Sequence, residues 1–375
     1  MGFLMKIGFA SNDWSRSMKD AVGAPVMGGS GHIRLGQFFG PLRSKGIDVA
    51  LGILAHNSVT GAFGVHAVNG SGDHFDCDVI VMQRYMHEQV ISDMKKAQAI
   101  GQVVINDVDD WYWGLSQKNA AHSLVDPKNY PTENSEWYRR IIEQSDGVLV
   151  STPFLHEKMS KWNENTILQT NYVSCAQYAE VEAFESDNPL KMVVGWMGST
   201  AHRSGDLEIL RPYTRQLEKF ARFHHAGDFV QPKVPRFYKE IGASSGNVTT
   251  SPFVAPNQVQ LGMKFQVGIV QLNNIPFNHA KSYIKGLEYA AAGIPFVASW
   301  SPQYEELTQT HMIGDLAGSP ADYVDLLEKY FYPEERAKES ALLRRRVKKF
   351  DVKVGAGLMY KAIRQIHKAT WNERR

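Results

Sequence analysis

A repeated alternation of short β-rich runs with helical stretches constrains this chain more than any other feature of it. KIGFAS at 6–11, IDVALGI at 47–53, DVIVMQ at 78–83, QVVINDV at 102–108 and GVLVST at 147–152 are separated by segments of helical period. In one of these, 33–45, Leu35, Phe38, Phe39 and Leu42 share a face, and 87–99 and 134–145 are the others. Strands alternating with helices predict a mostly parallel, doubly wound sheet. The alternation lapses in the polar stretch AEVEAFESDNPL and restarts with MVVGWMG at 192–198, ARFHHAG at 221–227, VGIVQL at 267–272 and PFVAS at 295–299. At 375 residues the chain exceeds the roughly 250–300 residues that one core supports. Two Rossmann-like domains follow, 1–180 and 190–350, with the boundary where charge and proline replace the apolar period. From about 319 the sequence reads as helix, with Tyr323, Leu326, Leu327 and Tyr330 at helical spacing, and 351–375 is a last helix expected to pack back on the N-terminal domain. Open α/β sheets bind ligands outside the carboxyl ends of their strands, so chemistry is expected in a cleft between two facing domains.

Composition narrows the setting. With 43% hydrophobic and 21% charged residues the chain can bury substantial cores. A net charge of +2 does not by itself point to nucleic acid. Basic residues do gather at Arg344, Arg345, Arg346, Lys348 and Lys349, which reads as a solvated helix face or, alternatively, as a DNA contact. Cys77 and Cys175 are too few for a disulfide framework or a cysteine-rich zinc site and fit a reducing compartment, the cytoplasm. The apolar start MGFLMKIGFA is too short for a secretory signal, Lys6 breaks the myristoylation pattern, and no run reaches the ~20 apolar residues of a membrane span. Any membrane association is therefore expected to be peripheral.

The segment PFNHAKSYIKGLEYAAAGIPFVAS, 276–299, carries the densest chemistry. On a helix starting near His279, Lys281, Lys285 and Glu288 stand on one face and Ile284, Leu287 and Ala291 on another. Free N–H groups at that helix start, with Lys281 and the Ser282 hydroxyl beside them, suit a phosphate, and Glu288 suits ribose hydroxyls. An exposed row of charges is the plainer reading of the same spacing. GWMGSTAHRSGDLEIL, 195–210, places Gly198 and Ser199 after a strand, with His202 and Arg203 following and Asp206 suited to begin a helix.

The segment 276–299 resembles the donor-binding motif of retaining GT-B glycosyltransferases of the family 4 type, in which a phosphate-binding helix leads to a ribose-binding glutamate, small residues and GxP. Glu288 with EYAAAGIPFVAS after it matches the second of that family's paired glutamates, whereas the position of the first is Ala280. Residues 195–207 are similar to the family's strand-loop-helix that gives a basic contact to the diphosphate, which makes Arg203 that contact and His202 a helper. The resemblance implies a GT-B fold with C-terminal helices. It also implies a donor site of Lys281, Arg203 and Glu288 with Gly198, Ser199, His202, Asn278, His279, Ser282 and Lys285. Asn171, in ILQTNYVS, matches the turn that leads out of the N-terminal domain, where its side chain supports backbone.

In the N-terminal half, Gly28, Gly29 and Gly31 precede a helix in VMGGSGHIRLG, where glycine permits close approach to an anion. The spacing lacks the dinucleotide fingerprint, which disfavours a nicotinamide cofactor. By resemblance Gly29, Ser30, Gly31 and His32 contact the donor phosphates, and a turn without ligand is the alternative. NDVDDWYWGL, 106–115, sets Asp107, Asp109 and Asp110 beside Trp111, Tyr112 and Trp113. Carboxylates next to aromatic faces suit a carbohydrate, so Asp109, Asp110, Trp111 and Trp113 are the candidate acceptor contacts. An acidic metal site and a structural aromatic cluster with Asp109 as helix cap compete with that reading.

The resemblance thus implies transfer of a sugar from a UDP- or GDP-sugar to a hydroxyl of a glycan, lipid-linked sugar, protein or DNA, with retention and with neither metal nor further cofactor required. A nucleotide-sugar epimerase or hydrolase, and a non-catalytic sugar-binding protein, are the alternatives.

Overall fold

A computed structural model describes residues 5–19, 25–67, 74–117, 119, 122–126, 128, 134–200, 205–228, 236–252 and 254–374. The chain divides into two compact units. The N-terminal unit joins 1–115 and 122–171 to the C-terminal 352–375, and the second unit joins 116–121 to 172–351.

Eight strands make the sheet of the N-terminal unit among the described residues, in the order Thr166–Leu168, Gly147–Val150, Val103–Val108, Val79–Gln83, Ile7–Ser11, Val49–His56, Phe63–Ala67, His74–Asp76. The first six are parallel, and the last two close the edge antiparallel. Every residue of Ile7–Ser11, Val79–Gln83 and Val103–Val108 is buried, as central strands covered on both faces must be. Helix Glu88–Ala99 turns Val90, Met94 and Ala97 inward at the spacing of one helical face. Helix Ser135–Gln144 is started by Asn134, whose side chain accepts from the N–H groups of Glu136 and Trp137, both at 3.0 Å.

One helix departs from its expected bounds. The helix expected at 33–45 begins at Gly29 and runs to Arg43 with a π-turn over His32–Gly36, so the glycines form its first turn rather than a loop before it. Asp13 explains the early start, because its carboxylate accepts from the Gly31 N–H at 3.0 Å. The last helix, Val352–Glu373, lies within the expected 351–375. It buries Ala356, Met359, Ile363 and Ile366 in the N-terminal unit, where Gly147 leaves room for Ile366: a Cβ there would stand 2.7 Å from that side chain.

The second unit holds a six-stranded, wholly parallel sheet in the order Val248–Pro252, Ala221–Asp228, Met192–Met197, Val267–Val270, Phe296–Ser299, Asp315–Ala317. Numbered along the chain this is 3-2-1-4-5-6, the doubly wound order, and its direction reverses between Met192–Met197 and Val267–Val270. Trp196, Phe223, Ile269 and Tyr323 anchor the core. Helix Ile284–Ala292 ends at Gly293 in a left-handed conformation (φ 71°), and the Arg344 guanidinium donates to the carbonyls of Ala291 and Ala292 at 3.3 and 2.6 Å. Arg344, first of the basic run, thereby completes a helix end inside this unit. Arg346 donates to the Met312 carbonyl at 2.7 Å and Lys349 meets His311 Nδ1 at 2.8 Å.

His224 lies 2% exposed within this sheet, its ring between Thr249 Oγ1 (2.8 Å), Ser251 Oγ (3.0 Å) and the Gly262 carbonyl (3.1 Å). Burial pushes its pKa down to about 4 from 6.5. The unfolded chain therefore binds the proton first on acidification, and this stability is complete above about pH 6.5 and lost as pH falls toward 4. By pH 5 the loss is about 2 kcal/mol. The melting temperature is expected to drop between pH 6.5 and 4.5, with a shallower slope for His224→Gln in the same scan.

Candidate functional site

In the second unit the reversal point of the sheet brings together residues from three segments. Strand Met192–Met197 ends at Gly198, whose φ of 142° favours glycine. The Gly198 N–H is bonded to the Ala226 carbonyl at 2.9 Å, while its own carbonyl faces His225 Nε2 at 2.8 Å. Gly227, also at positive φ (113°), presses on the same turn: a Cβ on it would lie 2.9 Å from the Gly198 oxygen. Lys285 reaches across from helix Ile284–Ala292, donates from Nζ to the Met197 carbonyl and lies 5.4 Å over the Trp196 ring. Gly198 and Lys285 are thus neighbours. Ser199 follows in a half-buried turn, and His202 and Arg203 fall outside the described residues.

The segment after strand Val267–Val270 does not form the single helix expected from His279. A first turn, Pro276–His279, stops at Ala280, and helix Ile284–Ala292 begins four residues later. Lys281 and Ser282 therefore precede the helix that carries Lys285 and Glu288, instead of sharing its face. Lys281 lies over the Phe277 ring at 4.5 Å, and Ser282 Oγ accepts from the Ile284 N–H at 3.4 Å. The Gly286 N–H, in the first turn, already donates to the Tyr304 hydroxyl at 3.3 Å. Asn278 is 2% exposed, and its amide donates to Asp206 Oδ1 (2.7 Å) and the Asn273 carbonyl (3.0 Å). Asp206 accepts from the Asn273 N–H as well, so its side chain ties two loops rather than capping the turn Leu207–Leu210. His279 bonds Asn274 through Nε2 at 2.6 Å. Ala280, in the place of the missing glutamate, is wholly buried.

Glu288 sits one turn beyond Lys285. The Tyr178 hydroxyl donates to its Oε1 at 3.2 Å. Burial pushes the carboxyl above the usual range, against the pull of Lys285 and of the Tyr178 hydrogen bond. Tyr178 lies 110 residues away in helix Cys175–Tyr178, and no periodicity could have paired it with Glu288. His225 was equally unmarked by the sequence, although strand position alone puts it beside the turn.

The N-terminal unit gathers its own group at the carboxyl ends of Ile7–Ser11, Val79–Gln83 and Val103–Val108. Arg34, in the π-turn, is 1% exposed and grips Asp107 with two of its nitrogens, Nε to Oδ1 at 2.9 Å and Nη2 to Oδ2 at 2.7 Å. Its Nη1 donates to the Gln169 carbonyl (2.6 Å) and to Asn171 Oδ1 (2.7 Å), so the Asn171 side chain serves Arg34. Burial raises the Asp107 pKa while Arg34 opposes the rise. Beside this pair lies the glycine turn. Gly28 admits no side chain, since a Cβ would stand 2.2 Å from Asp13 Oδ1. A Cβ added at Gly29 would meet nothing within 4 Å, Ser30 turns its carbonyl toward Gln83 Nε2 (3.4 Å), and burial lowers the pKa of His32. Arg84 follows Val79–Gln83 with a φ of 63°, rare for a residue with a side chain, and its guanidinium faces Asp13 at 3.6 Å.

Asp109 accepts from the Tyr112 hydroxyl at 3.0 Å. Asp110 is half-buried next to it and adds to the field on Arg84. Trp111 and Trp113 pack on each other with centroids 5.0 Å apart, and both meet Trp162, at 5.9 and 4.6 Å. The indoles so form a local cluster, with Trp113 also stacked on Tyr138 at 5.9 Å. Among the described residues no group of three His, Cys, Asp or Glu side chains is arranged to hold a metal ion. No helix among them is long and apolar enough to cross a membrane.

The architecture is that of GT-B glycosyltransferases, built like this chain from two doubly wound α/β units. A sucrose-phosphate synthase from Thermosynechococcus elongatus is similar at 13% identity over 97% of this chain and 100% of that one, with a TM-score of 0.61. A glycosyltransferase from Rickettsia africae is similar at 10% identity over 96% and 98%, TM-score 0.60. Anabaena HepE, solved with UDP-glucose, is similar at 14% identity over 98% and 100%, TM-score 0.56. No protein-family profile matches the sequence, and no curated protein matches it by sequence.

Removing one partner of a buried ion pair leaves the other charge uncompensated. Arg34→Ala is expected to lower unfolding free energy in urea by about 3–5 kcal/mol, and Arg34→Met with Asp107→Leu to recover most of that loss.

Proposed function

We propose that this protein is a glycosyltransferase that moves a sugar from a nucleoside diphosphate sugar to an acceptor hydroxyl. One observation carries the reading: at the reversal point of a 3-2-1-4-5-6 sheet, where such folds bind ligands, a glycine turn meets Lys285, with Glu288 one helical turn beyond. The motif resemblance and the fold likeness support the same conclusion from other directions. UDP-sugars are the first donors to test, because HepE binds UDP-glucose.

In this reading the diphosphate lies at the turn after Met192–Met197, near Lys281 and Lys285, with Arg203 and His202 beside Ser199 by resemblance to the motif. Glu288, steadied by Tyr178, accepts from ribose hydroxyls. The bond from the anomeric carbon to the phosphate oxygen breaks and its electron pair leaves with the nucleoside diphosphate, whose growing charge the lysines and arginine neutralise. The acceptor oxygen bonds the anomeric carbon on the face being vacated and passes its proton to the departing phosphate oxygen, which retains configuration. By resemblance to the motif, Gly29, Ser30, Gly31 and His32 are proposed phosphate contacts. Asp109 and Asp110, with Trp111 and Trp113, orient the acceptor. The role of the family's first glutamate falls to no side chain at Ala280, a buried methyl.

A thermal-shift series with UDP, GDP and their glucose conjugates tests the donor site. A true donor at a hundred times its Kd adds about 2.7 kcal/mol of stability, and a flat response to every nucleotide would reject the proposal. Lys281→Ala and Glu288→Ala are each expected to weaken nucleotide affinity by about tenfold to a hundredfold in calorimetry, the range of a lost hydrogen bond to a charged group. Lys281→Ala should also lower kcat, whereas the Glu288 change should appear mainly in the donor KM.

A further inference from the structure

The C-terminal helix leaves one face outward after its apolar side is buried. From Val352 to Asn372 it contains no aspartate or glutamate, and it carries Lys353, Lys361, Arg364 and Lys368, all exposed. Lys361, Arg364 and Lys368 have no carboxylate partner among the described residues. Large apolar side chains share this exposure: Val354 is 48% exposed, Leu358 45% and Trp371 48%. Arg364 lies 5.8 Å over the Tyr360 ring, and Trp371 stacks on His367 at 6.3 Å, so the aromatic groups stand among the cations. A second element extends the charge, since Lys45 would lie 3.7 Å from a Cβ at Gly357 on the same helix, and residues 29–47 hold no acid. At 1.5 Å per residue the 22-residue helix offers a strip about 33 Å long.

We propose that this face docks the protein on an anionic lipid surface. Charge complementarity argues for a polyanion, because the helix carries cations and no acid from Val352 to Asn372. The exposed aliphatic groups then select among polyanions: Val354 and Leu358 gain nothing from a phosphodiester backbone, but they can enter the boundary between headgroups and acyl chains, where tryptophan also settles. Basic residues beside a negative leaflet supply the rest of the attraction, which salt screens. The basic run Arg344–Lys349 differs, since Arg344, Arg346 and Lys349 are engaged with carbonyls and a histidine of their own unit.

The test is co-sedimentation of the full chain with vesicles of phosphatidylcholine alone and of phosphatidylcholine mixed with phosphatidylglycerol. Binding to the mixed vesicles alone, weakening with salt, is expected. The triple variant K361E/R364E/K368E should lower the partition coefficient about tenfold or more, given the contribution of each basic residue near a charged leaflet. The double variant L358S/W371S, which keeps the charges, should lower it as well, with melting temperature and circular dichroism of both variants matching the parent. Equal binding to the two vesicle types, no binding to either, or unchanged binding by the folded triple variant would overturn the proposal. Binding to duplex DNA without binding to vesicles would overturn it in favour of nucleic acid.

Discussion

A parallel sheet covered by helices on both faces can present its backbone only at the strand ends, and that constraint governs where this protein can do chemistry. In the second unit the strand order reverses between Met192–Met197 and Val267–Val270, and the two helical connections diverge from that point. The turn left open there is shaped by Gly198, Lys285 and His225, each holding a backbone atom of the strand end. None of these contacts creates the opening. They fix the geometry of one that the topology had already made.

Positioning extends outward from this turn through the helix that follows. Lys285 and Glu288 sit on Ile284–Ala292, whose far end is held by Arg344 and whose acid is held by Tyr178. Arg344 also donates to the Val181 carbonyl at 2.8 Å, so the segment carrying Tyr178 and the helix carrying Glu288 are tied by the same guanidinium. In the N-terminal unit Arg34 has the comparable place, joining Asp107, Gln169 and Asn171 beneath the glycine turn.

Much of the fold was legible because apolar runs and helical periods are local. The strands expected at 6–11, 78–83, 102–108, 192–198 and 295–299 all occur within a residue or two. Two of the strands that the apolar pattern does not mark are short or polar: Asp315–Ala317 has three residues, and Val248–Pro252 reads VTTSP, with both of its threonines exposed. Helix starts differ from the local period for another reason. Gly29 begins a helix because Asp13 supplies the cap from 16 residues upstream, and Ile284 begins one because the turn before it closes at Ala280. Such causes are tertiary. The same holds for the site, where glycines, Lys285 and Glu288 stood out by motif, but Tyr178, His225, Arg34 and Arg84 came into view only when distant segments were brought together.

Gly227 and Gly198 meet with no atom to spare between them, each in a conformation that side chains rarely adopt. The outline of the turn is therefore recorded partly as matter left out. A methyl added at Gly227, a position that no ligand motif marks, would displace the oxygen beneath it and carry the whole strand end along. In a comprehensive substitution survey, Gly227 would rank as intolerant as any group that touches the bound molecule.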